Sequence, residues 1–447
     1  MNMNNLQSQN HRPHPSTANV QQPTISTEIT TTRITASQFM RRLFGFLFFS
    51  HLILIAALVI FLAAQGLRSG VRHHHFRPAE WYYPLLASTG CAAILSLLWQ
   101  WITACSPSKA FKAAFWLAPL STCAVAVLLL TIGSSADLAA GVAALLCSLS
   151  MSLYGCWVSP RFEYAIRVLT VSAASPPAKA TSLIILSMLI STLYSCLLVI
   201  GIGGARARAN LDALFISIIL LSLAWTMQVI RNTLLATFTR VKYMYLVSGI
   251  DVKTSMAFRD TLKHSMGSIC IGSFLVPILG LMWGSARAMK LVEGDIDEFL
   301  FSCANCYAGC ASTLVMYGNR WGFVHVGVYN KGFMQASMDV WDTFRRMGLE
   351  ELIDSDLTGS FCFLSGMAVG GICSLVSGIW ALAVRKSYAT ELSLYAFFIS
   401  YFMGRIAMAW QQACLTAYYV AYAENPQSSQ FDNTIPARIH QLQRLGA

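Results

Sequence analysis

Charge is what this 447-residue chain has least of: Asp, Glu, Lys and Arg make up 11% of it, against 55% apolar residues. An average soluble domain carries roughly 25% charged residues, and a soluble core of this size would need such a surface. Other absences narrow the field. The sequence has no glycine loop followed by Lys and Ser/Thr to cradle a phosphate, no zinc-protease His pair and no nucleophile elbow. It therefore points away from an enzyme and calls for no cofactor and no metal. No basic–apolar–small pattern opens the chain, so no cleaved signal peptide is expected.

Long apolar runs are present instead. Stretches of about 20 residues, mostly apolar and nearly free of charge, mark membrane spans. They fall at approximately Phe44–Gln65, Tyr82–Cys105, Phe111–Gly133, Ala136–Val158, Ala180–Gly203, Asp212–Ile230, Gly267–Ala286, Phe299–Gly318, Thr358–Val384 and Leu392–Ala417. Each is long enough to cross a ~30 Å hydrocarbon layer as a helix. Backbone polar groups in lipid must be paired within their own segment, and the ten-residue alternation of a β-barrel is missing. The expectation is an all-α polytopic membrane protein of about ten transmembrane helices. Three regions follow: a disordered cytoplasmic tail over 1–39, a membrane domain over 40–424 and a cytoplasmic C-terminal tail over 425–447.

Loop charge orients the spans. The side bearing both termini holds 21 of the 31 Lys and Arg, the other side 9, which places the termini in the cytoplasm. Arg231, Arg240, Lys242, Lys253, Arg259 and Lys263 on a predicted loop, Arg231–Met266, form the largest block. It reads as topology and lipid contact rather than nucleic-acid binding. In the second long loop, Asn319–Leu357, the apolar residues Phe333, Met334, Val340, Trp341 and Phe344 recur near helical spacing. This predicts an interfacial cytoplasmic helix between spans eight and nine, with a further crossing as the alternative.

Cys303, Cys306 and Cys310 share one face of the eighth span, where small residues at a helix contact explain them better than a thiolate site. Gly280 and Gly284, and Gly366 and Gly370, are small-xxx-small pairs suited to close helix approach. Pro277 and Pro119 interrupt helix ladders. Arg405 is the clearest ionisable residue at depth, with Asp137, Asp212 and Glu391 near span ends. No chain of buried carboxylates is visible, so aromatic faces are the expected means of holding an organic cation.

The later spans resemble the choline transporter-like family. The resemblance is carried by Trp225-Thr226-Met227-Gln228-Val229-Ile230-Arg231-Asn232, then Gly267-Ser268-Ile269-Cys270-Ile271-Gly272-Ser273. Asn319-Arg320-Trp321 and Tyr329-Asn330-Lys331-Gly332-Phe333 follow in order. It runs from about Val158 to Glu424, and Arg240 to Arg346 is most similar to the plant branch. The resemblance implies ten spans, cytoplasmic termini, the plasma membrane (with an endomembrane as the alternative) and movement of choline or a related amine. Animal members carry a large glycosylated domain between the first two spans. Here that loop is about 15 residues, and the chain has no Asn-x-Ser/Thr site. Polar and aromatic residues on the family-like spans nominate Trp225, Gln228, Asn232, Trp283, Asn305 and Tyr307 for a substrate cavity. Gly267, Gly272 and Pro277 are nominated to shape a moving helix. The expected partners are a small choline-like amine and the lipid bilayer, with no nucleic acid. A non-transporting scaffold or trafficking protein, and a channel, are the rival readings.

Overall fold

A computed structural model describes residues 24–70, 78–133, 135–174, 179–206, 211–292, 307, 309–311 and 313–446. The described residues are helical, with no strand among them. The long helices are α1 (Thr24–Gly70), α2 (Pro78–Cys105), α3 (Pro107–Ile132), α4 (Ser135–Val158), α5 (Phe162–Ala173), α6 (Ala180–Arg206) and α7 (Asp212–Ser248). After α8 (Thr254–Asp260) comes one π turn, Thr261–Ser265, and then α9 (Met266–Val292). The shorter helices α10 (Gly322–Tyr329), α11 (Phe333–Arg346) and α12 (Glu350–Asp354) lead to α13 (Thr358–Val384), α14 (Ala389–Ala407), α15 (Ala409–Glu424) and α16 (Thr434–Gly446).

Eight of these segments are long and apolar enough to cross a membrane, and the pair α14–α15 makes nine. Half of the predicted eighth span falls outside the described residues, as do Cys303 and Cys306. Its described part lies beside α9: Tyr307 hydrogen-bonds Ser285 at 2.8 Å, and Gly318 lies against Leu279. The outward faces are apolar. Leu193 is 71% exposed and Leu281 77%, which suits lipid rather than water.

Helix–helix contact is made by small residues, as lipid-solvated helices require. A methyl on Gly204 of α6 would meet the Leu62 carbonyl of α1 at 2.5 Å, and one on Gly267 would collide with the Arg41 carbonyl. A methyl on Gly272 would meet the rings of Phe323 and Phe333 at 2.7 Å. Ser374 and Ser393 exchange hydrogen bonds between α13 and α14, at 2.9 and 3.1 Å to each other's carbonyls. Gly366 and Gly370 pack on Arg405, Tyr401 and Phe397 of α14, whereas a methyl added at Gly280 or Gly284 would have no neighbour within 4 Å among the described residues.

Three expectations change. The segment Arg231–Met266 is not a loop: α7 runs on through Arg231 to Ser248, with Leu234, Leu235, Ala236 and Phe238 fully buried. One charged residue ends an apolar window, but the apolar pattern resumes behind it. The last span is not one rod either. It breaks at Met408 with a 48° bend between α14 and α15, and no proline there announces it. Thirdly, Asn319–Leu357 folds as three short helices, not one. α11 keeps an apolar face (Phe333, Val340 and Phe344 buried, Met334 exposed), but α10 is buried almost throughout. At the C-terminus, α16 is docked through fully buried Ile435.

Outside the spans, partial burial works against the Asp432 carboxylate, but hydrogen bonds from Thr434 and Tyr418 outweigh it and hold its pKa below the ordinary value. A pKa lowered in the folded state adds stability above the unfolded value of about 3.9, and that stability is lost as pH falls through the folded value. Asp432→Asn should therefore flatten the acid limb of a melting-temperature profile below about pH 4. Gly204→Val should cost on the order of 1–3 kcal/mol by overpacking, read as a lower melting temperature in detergent.

Candidate substrate cavity

The family-like motifs meet at one place. Asn232 of α7 donates from Nδ2 to Ser273 Oγ of α9 at 2.9 Å, joining the first motif to the second. Asn319 ties off the third: its Oδ1 accepts from the backbone N–H groups of Trp321 and Gly322, both at 3.1 Å, and starts α10. Its Nδ2 donates to the Ser337 carbonyl at 3.1 Å. Asn330 ends α10 in the left-handed region at φ 54°, a conformation Asn tolerates better than most residues, and accepts from Ser265 at 2.9 Å. Phe333 then enters the core beside Gly272.

Around this junction lies a cavity of about 1190 Å³ between α7, α9, α13 and α14. Gln228, Asn232 and Pro277 line it. Trp225 does not; it packs on α1, 5.4 Å from Phe48 and 5.0 Å from His51, ring to ring. Asn305 and the Trp283 side chain lie outside the described residues, and Tyr307 is bonded to Ser285. Aromatic faces come from other residues: Trp321, Phe323, Trp341, Phe363, Tyr401 and Phe402.

Two arginines dominate the cavity wall. Arg231 is 7% exposed and is held entirely by amide oxygens: Asn232 Oδ1 at 3.0 Å, Gln228 Oε1 at 3.3 Å, and Gln412 Oε1 across from α15. Arg405 lines the same cavity, and no acceptor for it stands among the described residues. The Nε of each is buried and unbonded. The other basic groups of the cavity are neutralised, Arg320 by Asp356 and Arg345 by Glu350 at 3.4 Å. A guanidinium at membrane depth costs roughly 2.5–3.5 kcal/mol on insertion scales. Hydrogen bonds to a charged donor return about 1.5–3 kcal/mol each, so the three amides offset Arg231. Among the described residues no hydrogen bond compensates Arg405 in this way.

Ion pairs close the two ends of the bundle differently. At the end away from the termini, Arg206 of α6 reaches Asp212 of α7 at 2.8 Å and Glu391 of α14 at 2.7 Å. Arg385 reaches Glu80 of α2 at 3.5 Å. At the terminus-bearing end, Glu424 of α15 accepts from His325 Nε2 at 2.6 Å, from Tyr329 at 3.1 Å and from Tyr243. This group borders a second recess of about 1070 Å³ that also contains Lys331 and Asp339. Sequence reasoning placed Arg231 in a loop and missed Gln412 and the His325–Glu424 pair as site groups, because the contacts that fix them are not local. Their partners are 99 to 181 residues away.

The fold and cavity define a polytopic α-helical membrane protein with a polar interior. The family model described as plasma-membrane choline transporter matches residues 114–427, and the chain belongs to that choline transporter-like family. It is similar to Protein PNS1 of Mycosarcoma maydis, 24% identical over 52% of this chain and 46% of that protein. Protein PNS1 of Aspergillus fumigatus is 24% identical over 50% and 44%. A CTL-like protein of Dictyostelium discoideum is 23% identical over 50% and 42%. The chain thus spans less than half the length of these curated relatives.

Glu424→Gln keeps the shape of the carboxyl but weakens three charge-assisted bonds. It should destabilise the protein by about 1–3 kcal/mol, measured as a fall in melting temperature. Tyr329→Phe, at the partly exposed edge of the group, should fall less.

Proposed function

We propose that the chain is a transporter for choline or a related organic amine, working by alternating access across the plasma membrane with both termini cytoplasmic. The observation that carries this reading is the large polar cavity reached by the family-like motifs and bordered by a broken helix. Discontinuous helices beside a polar site are the usual architecture of secondary transporters, because unwound backbone is tolerated in lipid only next to a cavity. The cavity lining extends from Gln228 and Arg405 to Trp341, Arg345 and Glu350 near the terminus-bearing end, while ion pairs tie the helices at the other end. The reach of the lining toward the terminus-bearing end, rather than the ties present at both ends, supports an inward-facing state.

The aromatic wall supports an amine substrate, since a cation over a Trp or Tyr face gains about 0.5–2 kcal/mol without any carboxylate. The short loop after the first span and the lack of a glycosylation site support a plant-type member. Proteoliposomes carrying the full chain should take up labelled choline saturably, and Tyr401→Ala should reduce that uptake at least several-fold. Uptake equal to empty vesicles contradicts the assignment of choline.

A further inference from the structure

Two guanidinium groups, neither bonded to a carboxylate among the described residues, are a poor environment for a cation alone. Arg231 is fixed by three amides through Nη1 and Nη2, with its Nε still unbonded, and Arg405 brings a second charge to the same cavity. The acids that line the cavity, Glu350, Asp354 and Asp356, all lie on one short segment of chain. Glu350 and Asp356 are paired with Arg345 and Arg320. Gln228, Asn232 and Gln412 present amide oxygens to Arg231. These orient the guanidinium but leave its charge intact.

We propose that Arg231 and Arg405 form an oxyanion subsite in this cavity, one that takes a phosphate or carboxylate. The planar, permanently charged fork of Arg suits such groups, and low dielectric strengthens the contact. The aromatic wall beside it, Tyr401, Phe402 and Trp321, leaves room for an ammonium. A phosphorylated amine would fill both halves at once; a free oxyanion would fill only the first. The subsite rests on the reading of this cavity as the solute path, but its occupancy is measurable without transport.

The full chain, purified in detergent, is titrated with inorganic phosphate and with phosphocholine, and its melting temperature is followed. Potassium chloride at equal ionic strength is the control. Both phosphates should raise the melting temperature above that control, with phosphocholine half-saturating at a lower concentration if the oxyanion belongs to the substrate. If inorganic phosphate acts as strongly, the bound ion is a free one. Arg405→Gln should raise the half-saturating concentration at least tenfold, and Arg405→Lys should restore part of the affinity.

Gln412→Glu places a built-in carboxylate on Arg231. It should keep or raise the melting temperature without ligand while abolishing the response to phosphate, which guards against confusing lost binding with lost folding. The subsite is overturned if the wild-type response equals that to chloride, or if Arg405→Gln and Gln412→Glu both respond like wild type. Choline uptake that fails while the phosphate response persists removes the transport reading and leaves the subsite standing. Intact uptake without any phosphate response does the reverse.

Discussion

A guanidinium buried inside the helix bundle organises the centre of this protein. Arg231 sits midway along α7, and its charge is tolerable only because three amide oxygens converge on it. One of these, from Gln412, comes from α15 just beyond the bend at Met408. The requirement to satisfy Arg231 thus couples the longest buried helix to the broken one. Neighbouring Asn232 couples the same helix to α9 through Ser273. A cavity whose walls are held by such bonds keeps its polar groups in place without filling with side chains.

Each end of the bundle is tied by ionic or hydrogen-bonded groups that bring several helices together. Arg206 joins α6, α7 and α14; Glu424 joins α7, α10 and α15. Helices α7, α14 and α15 therefore enter the cavity region and at least one of these end clusters. Under alternating access, the two ends would open in turn, and the cost of breaking either cluster would set which state is favoured. Apolar packing between helices adds little preference in lipid, so polar clusters are the natural determinants of that balance.

The fold class was legible in the sequence because hydropathy reports the solvent directly: a run of twenty apolar residues has few alternatives. The close-approach glycines were partly legible from their spacing: Gly366 and Gly370 stand where a methyl would strike α14, but Gly280 and Gly284, spaced alike, meet no neighbour within 4 Å among the described residues. The site was legible only where local motifs carried it. Gln228, Asn232 and Pro277 line the cavity, but Trp225, one turn away from Gln228, faces α1 instead. Helical phase relative to partners is a tertiary property, and no local pattern of this sequence encodes it. Arg231 was hidden for a different reason. A charged residue at the end of an apolar window looks like a loop boundary, and only its long-range partner Gln412 shows that it is buried inside the bundle.

The most direct test of a paired-arginine cavity is an experimental density map of the full chain in lipid, determined with phosphocholine present. Ligand density is expected in the cavity between α7, α9, α13 and α14, with the phosphate against Arg231 and Arg405 and the ammonium toward Tyr401, Phe402 or Trp321. An empty cavity with both arginines paired to protein carboxylates, or ligand density bound elsewhere in the bundle, would contradict it.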